Sequence, residues 1–211
     1  VKAGFSVNDC KNTAPLLKHL VLASASPRRR ELLHQLQPSL QLTIQPANLD
    51  ESRIHQEDGE ELVQRLALAK AHRVVSELAP EKADFPVLAA DTEVILDGRP
   101  LGKPENVEAA VHLLKNLSGH SHEVKTGMAL VEGDTWLTAV VTTRVVFRNL
   151  DEEEIRAYVA TGEPDDKAGG YAIQGRGAAL VERIEGSYTN VVGLPLERLA
   201  QMIRQLGYRV F

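Results

Sequence analysis

Two groups of residues in this chain have types and spacings suited to chemistry, and they carry opposite charge. The first is Ser24-Ala25-Ser26-Pro27-Arg28-Arg29-Arg30, set between the apolar run 20–23 and the apolar positions Leu32, Leu33 and Leu36. Ser26 suits an N-cap and Pro27 the first helical position, so a buried strand is expected to feed directly into a helix. Such a junction aims free backbone N–H groups at the space beyond the strand's carboxyl end, which suits an anion. Arginines in the first turn oppose the helix dipole by about 0.3–1 kcal/mol each when exposed, and a bound polyanion would reverse that sign. Ser24, Ser26, Arg28 and Arg29 are therefore candidate phosphate-binding residues, pairing hydroxyls and amides with guanidinium forks. A capped surface helix with solvated arginines would produce the same pattern.

The second group lies in Val87-Leu88-Ala89-Ala90-Asp91-Thr92-Glu93-Val94-Ile95-Leu96, a run that reads as a buried strand turning at Asp97-Gly98. Period two puts the side chains of Asp91 and Glu93 on one face. A buried, ionised carboxylate needs a cation, a metal or access to water. Glu51, in the loop Asp50-Glu51-Ser52-Arg53, is a third acid. Lys70 stands among the apolar positions of a helix expected over 60–78, either snorkelling to the surface or aimed at a cleft. Lys103 is presented on an extended connection, Leu101-Gly102-Lys103-Pro104.

The elements that must hold these groups follow from periodicity. A half-buried strand is expected over 40–44, a helix over 106–117, and a hairpin of strands 122–131 and 135–147 about Gly133-Asp134. Acids at 151–154 open another helix, which ends at Thr161-Gly162. Residues 162–177 contain five glycines among charges and read as a loop that either approaches a ligand or is simply flexible. A strand over 178–184, a loop over 186–190 and an amphipathic helix through Leu206 complete the chain. His120 and His122 share a strand face; with no third ligand nearby, they read as surface histidines rather than a metal pair.

Composition narrows the classes. The 211 residues, 43% hydrophobic, support one domain over 20–211, with 1–19 a poorly ordered extension. A net charge of −5 and an aromatic content of 4% argue against a nucleic-acid binder. The single cysteine, Cys10, leaves no internal disulfide and suits a reducing compartment. No apolar run is long enough to cross a bilayer and residues 1–19 carry no signal-peptide core, so a cytoplasmic protein without membrane partners is expected. Cations that cradle a polyphosphate beside acids that hold Mg²⁺ or polarise water suit phosphoryl chemistry, without a Walker A loop.

Taken together, Ala23-Ser24-Ala25-Ser26-Pro27-Arg28-Arg29, Ala90-Asp91-Thr92, Gly102-Lys103-Pro104, Leu117-Ser118-Gly119, Gly162-Glu163-Pro164 and Asp166-Lys167-Ala168-Gly169-Gly170-Tyr171 with Ile173-Gln174-Gly175 closely resemble the Maf family of nucleoside triphosphate pyrophosphatases. The resemblance runs from about Leu20 to Leu206. It implies an α/β fold, a mixed twisted sheet in two lobes around a central cleft, like that of the inosine-triphosphate pyrophosphatases (Maf/Ham1). It implies hydrolysis of nucleoside triphosphates to the monophosphate and pyrophosphate with a divalent metal, Mg²⁺ or Mn²⁺. The arginine pair and Gln174 resemble the branch acting on dTTP and UTP.

By position, the resemblance makes Asp91 the general base and, with Glu51, the metal ligand. Ser24, Arg28, Arg29, Lys70 and Lys103 would bind the triphosphate, and Gln174 would help select the base. Family members are often dimers, though no stripe in this sequence marks an interface. Glu93 stands where the family usually has an apolar residue, and either joins the metal site or forms a local ion pair. Arg176 is also less usual there. The competing class is a regulator of cell division that binds nucleotides without turning them over.

Overall fold

The structure, a computed structural model, describes residues 14–54 and 57–211. Its elements in chain order are β1 (His19–Leu22), α1 (Pro27–Leu36), β2 (Gln41–Ile44), α2 (Gly59–Ser76), β3 (Val87–Leu96), β4 (Arg99–Pro100), α3 (Val107–Leu117), β5 (Ser121–Glu132), β6 (Thr135–Phe147), α4 (Glu152–Val159), β7 (Val181–Glu185), α5 (Tyr188–Val192) and α6 (Leu196–Gln205). The strands form one sheet in the order β2-β1-β3-β5-β6-β7, with β4 paired to β3. β1 runs parallel to β2 and β3, whereas the remaining pairs are antiparallel, so the sheet is mixed as expected.

The long strand β3 organises the rest. Along one edge it pairs with β5 from Val87 to Ile95. Along the other it meets β1 only at Val87 and Leu88, and β4 only at Ile95 and Leu96. Between those two contacts, residues 89–94 have a strand neighbour on one side only, and the sheet opens there into a cleft.

Apolar packing divides the molecule about that gap. Leu20 and Leu22 of β1, with Leu88 and Ala90, bury one face against Leu32 and Leu33 of α1 and Leu199 and Ile203 of α6. Val21, Val87 and Ala89 bury the opposite face against Ala67, Ala71 and Val74 of α2. Beyond the gap, Val94 and Val124 join Leu114 and Leu117 of α3 and Ile155 and Val159 of α4 in a second lobe. The alternation of faces along β3 follows from the pleat, and the two lobes follow from which helices cover each end of it.

Local chemistry sets the helix starts. Ser26 caps α1, its hydroxyl accepting the Arg29 N–H, and Pro27 follows it. Asp58 with Glu61, and Asp151 with Glu154, form capping boxes at α2 and α4. Gly127 lies directly across from Asp91. A Cβ at Gly127 would lie 2.2 Å from the Val63 carbonyl oxygen, so the glycine lets α2 settle onto the strand.

Several elements differ from the sequence reading. Residues 188–192 form the short helix α5, which takes in part of the loop expected over 186–190 and is capped by the Ser187 hydroxyl on the Asn190 N–H. The last strand begins at Val181, because residues 176–180 coil as a 3₁₀ turn. Residues 15–17 are held against the far end of the chain: Leu16 bridges Arg209, the Pro15 carbonyl accepts the Arg209 N–H, and Leu17 is buried. Residues 1–13, the rest of the expected extension, lie outside the described residues. Among the described residues no helix is long and apolar enough to cross a membrane.

Candidate active site

A cavity of about 640 Å³ fills the gap beside β3. Ser24, Ser26, Arg28, Arg29, Glu51, Lys70, Asp91, Lys103 and Gln174 all line it, so the positions named from the sequence converge on one space. Their roles are set by which groups already hold them.

At the β1–α1 junction, Ser24 is buried and its hydroxyl oxygen accepts from the Ser26 N–H (3.2 Å) and from Nη1 of Arg29 (2.9 Å). Arg29 also donates from Nε to the Gly193 carbonyl (2.9 Å) and from Nη2 to the Thr92 hydroxyl (3.1 Å). Its guanidinium thus ties the junction to the middle of β3 and to the turn after α5. Burial draws the Arg29 pKa below its usual value against the favourable charge of Asp91. Arg28 lines the same cavity and makes no ion pair among the described residues, so its fork is free for a ligand.

Asp91 and Glu93 occupy the other wall. Lys70, buried rather than snorkelling, places Nζ 2.6 Å from Oδ1 of Asp91 and 2.7 Å from Oε1 of Glu51. The docking of α2 over Gly127 is what brings the lysine there. Oδ2 of Asp91 and Oε2 of Glu93 are buried and have no hydrogen-bond partner among the described residues. Burial and the neighbouring Asp91 push Glu93 up to about 7, with Lys103 acting in the opposite direction. Burial also pushes Glu51 up, but the hydrogen bond and charge of Lys70, with Lys103 and Arg29 behind it, outweigh this and hold it below the usual carboxylate range. Among the described residues no three His, Cys, Asp or Glu side chains converge to hold a metal ion by themselves.

The glycine-rich segment forms the roof of the cavity, and Glu163 holds it. Oε1 of Glu163 accepts from the Tyr158 hydroxyl (2.8 Å) and the Gly177 N–H (2.9 Å), and Oε2 accepts from the Arg176 N–H (2.9 Å). Burial raises the Glu163 carboxyl, and these donors more than offset it, leaving a lowered pKa. A Cβ on Gly175 would sit 2.3 Å from Oε2, so a larger residue there would push the carboxylate off its donors. Arg176 itself does not line the cavity.

Tyr171, also in the roof, hydrogen-bonds Nε2 of His122 at 2.8 Å. His122 is buried against Tyr171 and Phe147, which corrects its reading as a surface residue. Burial draws its pKa down to about 4. His120 precedes the strand and is exposed.

Sequence reasoning assigned no role to Thr92, Glu163 or Lys167, all of which line the cavity. Thr92 was hidden on the face opposite Asp91. The Gly162-Glu163-Pro164 block signalled the turn at Glu163 but not the three donors that it gathers.

A mixed sheet whose central strand faces a cation-lined strand-to-helix turn across a cleft defines an α/β protein built to hold an anionic small molecule. Compared with known proteins, residues 19–206 match the model of the Maf-like protein family, and the chain belongs to that family. It is 50% identical over 195 residues to the dTTP/UTP pyrophosphatase of Symbiobacterium thermophilum, covering 92% of this chain and 97% of that one. It is 49% identical over 196 residues to the dTTP/UTP pyrophosphatase of Pelotomaculum thermopropionicum, covering 92% and 100%. A solved HAM1 protein from Coxiella burnetii is similar with a TM-score of 0.49 at 17% identity, covering 89% of this chain and 99% of that one.

Proposed function

We propose that this chain hydrolyses dTTP and UTP to the nucleoside monophosphate and pyrophosphate, acting on the cytoplasmic nucleotide pool. What carries the reading is the match in sequence to pyrophosphatases of that specificity along nearly the whole chain, joined to one cavity that holds both the arginine turn and the Lys70–Asp91 pair. Its volume falls in the range of roughly 300–1,000 Å³ usual for small-molecule sites.

The triphosphate lies between the walls. Arg28, through its side chain and its uncapped backbone N–H in the first turn of α1, and Lys103 bind its oxygens, while Arg29 holds the junction in shape. Water attacks the α-phosphorus, the bond from that phosphorus to the α–β bridging oxygen breaks, and pyrophosphate leaves. Asp91 takes the proton from the water. Lys70, bonded to Oδ1, holds the carboxylate in place for this step. Gln174, exposed on the roof, contacts the base.

The residues fit a divalent cation, because Oδ2 of Asp91 is a buried carboxylate oxygen with nothing bound to it. Mg²⁺ or Mn²⁺ held by Asp91, with Glu51 beside it, would supply charge neutralisation for the triphosphate. One or two carboxylates plus phosphate oxygens and water make an ordinary Mg²⁺ shell.

The test is pyrophosphate release from dTTP and UTP with Mg²⁺ or Mn²⁺, for the native chain and for Asp91→Asn. Turnover is expected to fall on the order of 10²-fold or more in the variant while nucleotide binding persists, because a general base acts in the transition state. Tight binding by the native chain without any release would instead favour the regulator.

A further inference from the structure

Glu93 lines the cleft on the same strand as Asp91, and the proposed chemistry leaves it unused. Its cross-strand partner on β5 is Lys125, the residue best placed to pair with it. Yet Nζ of Lys125 lies 3.3 Å from Glu123, its neighbour two positions back on the same face. Glu93 makes no ion pair among the described residues, and its Oε2 is buried without a partner. Lys103 lines the same cavity but stays exposed.

Asp91 presents the same feature two residues earlier. It is only 6% exposed, Lys70 takes one of its oxygens, and Oδ2 is unpartnered. Residues i and i+2 of a strand stand about 6.6–7 Å apart at Cα on one face, and the longer glutamate side chain can lean toward the aspartate. Two buried carboxylate oxygens without donors on one face of a strand are costly while ionised, and a proton on one or a cation between them relieves that cost.

We infer that Glu93 and Asp91 together hold a divalent cation, with the ligands they do not supply coming from the substrate's phosphate oxygens and from water. The inference rests on the proposed triphosphate chemistry and deepens it, adding a ligand to that site. Two carboxylates do not complete a shell, and Glu51, drawn to Lys70, does not converge with both of them, so the ion binds tightly only when the nucleotide is present. Glu93 also sets a cost: without the metal, its charge opposes the incoming triphosphate.

The experiment measures Mn²⁺ binding by electron paramagnetic resonance and calorimetry, with and without saturating α,β-methylene-dTTP. It compares the native chain with Glu93→Gln, Glu93→Val and Asp91→Asn. Glutamine keeps the shape and valine suits a strand, so folding is checked in two independent ways. With analogue bound, both Glu93 variants are expected to weaken Mn²⁺ binding by at least about tenfold, since even outer-shell partners are worth 10–100-fold. In metal-free buffer they are expected to bind the analogue more tightly than the native chain. Native Mn²⁺ affinity in both Glu93 variants, with Asp91→Asn weakened, would overturn the role of Glu93 and leave the proposed site standing. Native affinity in all three variants would overturn the Asp91 metal site as well.

Discussion

Lys70 and Asp91 form a buried ion pair, Nζ to Oδ1 at 2.6 Å, that joins the middle of α2 to the middle of β3. The same ammonium holds Glu51 at 2.7 Å, so one cation organises two of the acids that line the cleft. Removing it strands Asp91 in a poorly solvated site, a change that typically costs about 3–5 kcal/mol. Lys70→Met is therefore expected to lose about that much stability in urea denaturation. Adding Asp91→Asn to the same chain removes the stranded charge and is expected to restore part of the loss, a non-additivity that a double-mutant cycle reads directly. Strict additivity would mean that the two groups do not interact.

The two arginines of the first turn of α1 are expected to separate in their effects. Arg28 has no protein partner to lose, so Arg28→Ala should leave thermal stability unchanged. It should raise KM by roughly tenfold and flatten its dependence on salt, as the loss of one charge-assisted phosphate contact would. Arg29→Ala abandons the Gly193 carbonyl and the Ser24 and Thr92 hydroxyls, and should in addition destabilise the fold by about 2 kcal/mol. Parallel thermal melts and kinetics at two ionic strengths check both expectations.

His122 predicts an acid sensitivity. Its pKa falls from 6.5 to about 4 on folding. Between those values the unfolded chain binds a proton that the folded chain does not, so stability drops as pH is lowered through that window and levels off below about 4. Between pH 7 and 5 this one residue is expected to account for a loss of about 2 kcal/mol. Denaturation curves of the native chain and His122→Gln at both pH values check it. Equal losses in the two proteins would remove His122 as the cause.

What the sequence makes visible is mostly local. Ser26 and Pro27 mark the start of α1 because capping needs only neighbours, and the pleat alone puts Asp91 and Glu93 on one face. The partners of these groups are long-range and could not be read in the same way. Lys70 could be placed on a helix but not beside Asp91, since that depends on α2 settling over Gly127. Arg29 looked like a second free phosphate ligand, but the Gly193 carbonyl that holds its Nε lies 164 residues further on. His122 looked exposed because Tyr171, which covers it, comes 49 residues later. α5 escaped notice because its five residues have little helical propensity of their own. It is held through Asn190, whose side chain donates to the Val124 carbonyl (2.9 Å) and the Thr143 hydroxyl (3.0 Å).

The stretch of β3 with a strand on one side only is, in backbone terms, a sheet edge in the interior of the fold. Edges of this kind invite a strand from another molecule and are a common route to aggregation. Here the edge is recessed between two lobes, roofed by glycine-rich chain and flanked by Arg28 and Lys103, so another protein's extended chain has no straight approach to it. Recessing the edge leaves its cavity-lining stretch, Asp91 to Glu93, within reach of small solutes while keeping it from other polypeptides.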